Sequence, residues 1–154
     1  MRATLAMIAL TGCLGLGVVQ AEAGSQDEGG RQVFERACAT CHAESMSPAE
    51  TERAEDMLAP PMNLLTTIIR KKTGNSEQAF VDHVVDFTFD PERGKVKAMR
   101  EALQRFGLMP PIRTLHPEMT RAEVAAAARW LFARYDYDRE LRALKQHQRH
   151  EADH

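Results

Sequence analysis

Apolar positions along the chain recur at helical spacing, and strand-like alternation is weak. Over residues 27–38, Val33, Phe34 and Ala37 share one face of a predicted first helix. Ser47-Pro48-Ala49-Glu50 is a capping box with proline at the first helical position, opening a short helix toward Met57. Pro60-Pro61 interrupts the pattern. Residues 62–72 then set Leu64, Leu65, Ile68 and Ile69 on one helical face, and Gly74 ends that helix. Asn75 with Gln78 is expected to cap a helix carrying Phe80, Val81, Val84 and Val85. Asp90-Pro91 is expected to open another, running through Met99 and Leu103 to a glycine stop at Gly107. Met109-Pro110-Pro111 reads as an extended loop, because each proline disfavours helix at the residue before it. Thr120-Arg121-Ala122-Glu123 is a second capping box and starts a long alanine-rich helix through Trp130. The pattern predicts an all-α fold.

Composition narrows the function. In 154 residues, Lys and Arg total 20 against 22 Asp and Glu, a formal net charge of −2. That balance argues against a nucleic-acid binder and against a polybasic membrane-surface protein. Aromatic residues make up only 6% of a chain that is 44% hydrophobic, which is thin material for a core and suggests that another group fills its centre. The length indicates one domain.

The N-terminus has the pattern of an export signal. Arg2 is followed by an apolar run over residues 5–19, and Ala21-Glu22-Ala23 fits a small-x-small cleavage site. The expected organisation is a signal peptide over 1–23, a domain over 24–132 and a C-terminal helical extension and tail over 133–154. The expected location is the periplasm, with no stable membrane insertion after cleavage. The alternatives are an uncleaved anchor, or lipidation of Cys13 in Leu10-Thr11-Gly12-Cys13. Cleavage leaves Cys38 and Cys41 as the mature cysteines.

Those two form Cys38-Ala39-Thr40-Cys41-His42, the attachment signature of c-type haem. Thiols three residues apart on neighbouring helical positions can form thioethers with the two vinyl groups of one haem c, and the next imidazole can ligate iron. A dithiol redox couple would call for a βαβ setting, which is missing. A zinc site would call for further ligands, which His83 or His116 could supply only by coincidence.

A carrier haem is commonly six-coordinate, with Met or His opposite the first imidazole. Met46, Met57, Met62, Met99, Met109 and Met119 are the mature methionines. Met109 is the strongest candidate, on a proline-stiffened loop after a helix stop. Met99, mid-helix by pattern, reads as core packing. His83, beside Asp82, is the rival for bis-His ligation, with a solvent-facing position as its simpler alternative, and His116, before Pro117, reads as exposed.

The combination of Gly30, Phe34, Cys38-x-x-Cys41-His42, Pro60-Pro61, Phe106-Gly107-Leu108-Met109-Pro110-Pro111, Thr120, Glu123-Val124 and Trp130-Leu131 resembles a bacterial class I (mitochondrial-type) cytochrome c over residues 30–132. The resemblance implies a cytochrome c-like fold of about five helices around one covalently bound, low-spin haem, with His42 and Met109 as axial ligands of its iron. It implies that Gly30 and Phe34 cross the last helix near Ala127 and Trp130. It also implies that a backbone carbonyl of the proline pair, Pro61 in preference to Pro60, accepts the His42 Nδ1–H bond. The expected function is one-electron transfer to redox partner proteins, without enzymatic turnover of its own. The alternatives are a haem c subunit or domain of an oxidoreductase complex, or a five-coordinate ligand-binding haem protein. Residues 135–154 are expected to prolong the last helix. Tyr137, Leu141 and Leu144 form a narrow apolar stripe that could dock a partner or a second copy, although packing on the body is the simpler expectation.

Overall fold

The computed structural model describes residues 19–153, with side chains from residue 28 onward except residue 151. Cys13 and residues 1–18 of the expected export signal lie outside the described residues. The described residues form eight α-helices and no strand, which is the all-α class but more helices than the five or so expected. They are α1 (Val19–Ala37), α2 (Pro48–Arg53), α3 (Met62–Lys72), α4 (Glu77–Phe89), α5 (Arg100–Phe106), α6 (Ile112–Leu115), α7 (Arg121–Arg134) and α8 (Tyr137–Ala152). No helix among the described residues is long and apolar enough to cross a membrane.

Local signals account for the helix starts. The Ser47 and Thr120 capping boxes both form, with Glu50 and Glu123 returning a carboxylate oxygen to the cap N–H at 2.8 and 2.9 Å. The cap of α4 is Ser76 rather than Asn75; the Ser76 hydroxyl accepts from the Ala79 N–H. Asn75 instead takes a left-handed conformation (φ 56°) that closes the turn after α3. Its side-chain oxygen accepts from Arg70 Nε at 2.8 Å.

The main framework is the crossing of α1 and α7. Gly30 makes it possible, since a β-carbon there would lie 2.7 Å from Trp130 Cβ and against the Ala126 carbonyl. Phe34 packs on Trp130 with ring centroids 5.2 Å apart, a pairing worth about 0.5–1.5 kcal/mol beyond area burial. Arg36 pairs with Glu123 at 2.8 Å at the same crossing. Helix α4 lies along the other flank of α7, where Phe80, Val81 and Ile69 bury against Ala128.

Two expected continuities break. The helix predicted from Asp90 to Gly107 is a single 3-10 turn over Arg93–Lys95, then an extended stretch, then α5 with Met99 at its N-cap. Lys95 folds back on Asp90 and Asp86 (2.8 and 3.2 Å) and holds the segment off the helical path. The last helix is also not prolonged. Tyr135 is extended (φ −111°, ψ 135°), and Asp136 caps a separate α8 by accepting from the Arg139 N–H at 3.0 Å. Arg70 is buried beneath this break; its guanidinium donates to the carbonyls of Phe132 and Tyr135 at 2.9 and 3.0 Å, satisfying the open end of α7.

Helix α8 returns across α3 and α2. Leu144 is buried, and the buried Asn63 donates from Nδ2 to Met46 O and to Glu140 Oε2 (2.9 and 3.0 Å). His147 meets Glu52 at 2.7 Å. The apolar side of α8 is therefore turned toward its own chain.

Candidate functional site

The Cys38–His42 segment continues α1 by one more turn. The N–H groups of Cys41 and His42 both donate to the Cys38 carbonyl, at 3.1 and 2.9 Å. Residues 38, 41 and 42 stand at i, i+3 and i+4, a shared face. All three border one cavity of about 240 Å³, enclosed by α1, α3, α4, α7 and the loops around residues 58–60, 96–98 and 107–110.

His42 is oriented by the backbone. Its Nδ1 lies 2.7 Å from the Pro60 carbonyl. A carbonyl can only accept, so Nδ1 carries the proton and Nε2 keeps its lone pair for a ligand. Burial lowers the imidazole pKa, partly offset by the Pro60 bond, so the ring is neutral and competent to ligate.

The acceptor is Pro60, and the preference for Pro61 is corrected. Pro61 is the N-cap of α3, and its carbonyl accepts the first helical bond from the Leu65 N–H at 3.0 Å. Pro60, one residue outside the helix, has its carbonyl available. Bonds from Met62 N–H to Ala43 O and from Asn63 N–H to Glu44 O tie the start of α3 to the stretch after His42 and bring Pro60 to it.

Cys38 is partly buried and Cys41 is exposed; both thiols are free. Burial, and then the neighbouring Cys41, push the Cys38 thiol up to about 11, so it is protonated at neutral pH.

Met109 lines the cavity together with Met62 and Met119. Met119 is 1% exposed and belongs to the core with Val33, Ile112, Val124 and Ala127, while Met62 packs against the Phe34–Trp130 cluster. Met109 belongs to neither cluster. It also borders a smaller recess of about 70 Å³ that His42 and Pro60 share. Gly107, with φ 73°, turns the chain into this loop at the C-terminus of α5, in a backbone region that suits glycine. Met99 lies away from the cavity, its sulfur 3.9 Å from the Gln148 amide nitrogen.

Two wall residues carry polar groups that sequence patterning passed over. His83, expected in solvent, is half-buried in the cavity wall and stacks on Phe87 at 5.8 Å. Burial, then nearby Lys97, lowers its pKa to about 4. The signal was present, since His83 shares the helical face of Phe80, Val84 and Phe87. Thr66, one turn after Met62, carries the single buried side-chain hydroxyl among the described residues with no hydrogen-bond partner, and it too borders the cavity. His116, half-buried, lies 3.8 Å from Glu118.

Among the described residues, no three of His, Cys, Asp and Glu converge closely enough to hold a bare metal ion. The donors bordering the cavity are the thiols of Cys38 and Cys41, the imidazoles of His42 and His83, and the thioethers of Met62, Met109 and Met119, in apolar surroundings. Those residues suit a large apolar group that brings its own metal.

Fold and site together define an all-helical protein whose Cys-x-x-Cys-His segment and proline-flanked methionine face one apolar cavity. The chain belongs to a family with an uncharacterized protein of Aquifex aeolicus (strain VF5), to which it is 31% identical over 115 residues, covering 69% of this chain and 73% of that protein. No protein-family profile matches the chain. No solved structure matches it.

Proposed function

We propose that this protein is a monohaem c-type cytochrome of the class I type, a one-electron carrier working outside the cytoplasm. The observation that carries the proposal is that Cys38, Cys41, His42 and Met109 border one apolar cavity, with His42 fixed through Nδ1 so that Nε2 is its ligating nitrogen.

Cys38 and Cys41 would hold the haem covalently through thioethers, and His42 Nε2 and the Met109 sulfur would ligate its iron. The bound group supplies an Fe(II)/Fe(III) couple. The residues of the chain do the rest. Pro60 holds the imidazole plane and raises its basicity as a ligand. Val33, Ile69, Phe80, Val84, Leu131 and their neighbours exclude water from the cavity, an environment that disfavours the more charged oxidation state. With His42 and Met109 both committed to the iron, the chain would leave no site on it for a substrate, and the chemistry would be outer-sphere electron transfer. Leu58 and Leu115, 69% and 56% exposed, both border the cavity and offer an apolar rim for redox partner proteins. The net charge of −2 implies modest salt dependence of that encounter.

The test is the optical spectrum of protein matured with its haem-attachment machinery. The expected result is a low-spin oxidised spectrum with a weak thioether–iron(III) band at its red edge, and a reduced form indifferent to carbon monoxide. A high-spin spectrum that responds to carbon monoxide would refute the carrier role and place the chain among ligand-binding haem proteins.

A further inference from the structure

The side chains bordering the cavity include no Asp or Glu and a single Lys, Lys97. Three lysines lie near this wall, and two are engaged. Lys95 Nζ pairs with Asp90 and Asp86 at 2.8 and 3.2 Å. Lys72 Nζ donates to the Ala98 carbonyl at 3.1 Å. Lys97 has no hydrogen bond or ion pair among the described residues, although it is half-buried. The two engaged lysines hold the stretch that presents it: Val96, Lys97 and Ala98 all border the cavity, one residue beyond Lys95 and at the carbonyl that Lys72 grips. His83 borders the same cavity close enough to feel the Lys97 charge, and its ring has no hydrogen-bond partner among the described residues.

Lys97 thus brings a positive charge to the border of a cavity whose side chains include no carboxylate, and an occupant that carries one would be attracted to it. A haem is apolar over most of its surface and carries two propionate carboxylates. Resting on the proposed function, we infer that Lys97, with His83 beside it, forms the carboxylate-binding corner of the cavity and takes a haem propionate. Lys97 supplies the charge and the neutral His83 ring an N–H donor. This corner fixes which end of the occupant faces the 96–98 stretch, and it gives that non-helical segment a binding role.

The haem-loaded full chain is the material for the test. Resonance Raman bands for propionate bending are expected to shift in Lys97→Met and to return toward the wild-type position in Lys97→Arg, with the thioether bands unmoved. Independently of any variant, proton NMR of the reduced wild-type protein is expected to show contact between the Lys97 ε-methylene and a propionate methylene. Propionate bands that stay in place in Lys97→Met, or the absence of that NMR contact, would overturn the inference alone. A chain without covalent haem would overturn the proposed function and this inference with it.

Discussion

In Met109→Ala, the red-edge band of the oxidised protein is expected to vanish, the iron to become accessible to carbon monoxide, and the reduction potential to fall. Met/His ligation raises the potential, so losing the thioether removes that contribution. Met109 is singled out by position. It borders the cavity and also the recess beside His42 and Pro60, and it takes no part in either buried cluster that claims Met62 and Met119. Pro110 and Pro111 restrict the loop behind it, so little entropy is lost in holding a weak ligand. Met99→Ala and Met119→Leu are the controls. Met99 touches Gln148 outside the cavity, and Met119 is core, so both variants keep the band even where stability drops. A band that survives in Met109→Ala and disappears in Met119→Leu would move the axial ligand to α7's approach loop.

Gly30 carries the largest structural effect. Alanine usually stabilises a helix interior by about 1 kcal/mol over glycine. At Gly30 the sign reverses, because the new β-carbon would meet Trp130 Cβ at 2.7 Å and the Ala126 carbonyl, neither of which can swing aside. Gly30→Ala is expected to lower stability by about 1–3 kcal/mol, the ordinary cost of overpacking, and Gly30→Leu by more. Gly29→Ala is the matched control. Nothing lies within 4 Å of its β-position, so that variant is expected to be neutral or stabilised by up to about 1 kcal/mol. Denaturant midpoints of the three variants against the wild type, all matured in the same way, decide it. Equal destabilisation at both glycines would mean that the α1–α7 crossing is not the close contact described.

What could be read directly from the residues was local chemistry. The Ser47 and Thr120 caps, the full span of α3 and the Gly107 stop rest on interactions within a few residues, and each forms as patterned. The Gly30–Trp130 crossing came from the resemblance and agrees with the packing. The misreadings arise where distant contacts override local preference. Arg70 caps α7 from across the chain, making room for a separate α8, and over residues 90–99 Lys95 pairs with Asp90 and Asp86 five and nine positions back, at spacings that helical periodicity does not register. The choice between Pro60 and Pro61 turned on which carbonyl α3 consumes, and that depends on the helix start to a single residue. At the site, the pentapeptide and Met109 were visible as motifs. Thr66 and Lys97 were not, because neither belongs to a recognisable pattern; His83 did share the apolar face of Phe80, Val84 and Phe87, a signal outweighed by Asp82 beside it.

Acid extraction of the denatured, matured protein, followed by its pyridine spectrum, goes most directly to the identity of the cavity's occupant. One haem per chain that stays with the polypeptide, with the alkaline pyridine spectrum of a haem joined through two thioethers, is the predicted result. Haem that extracts into the organic phase, or a polypeptide with both Cys38 and Cys41 still titrating as thiols, would contradict it.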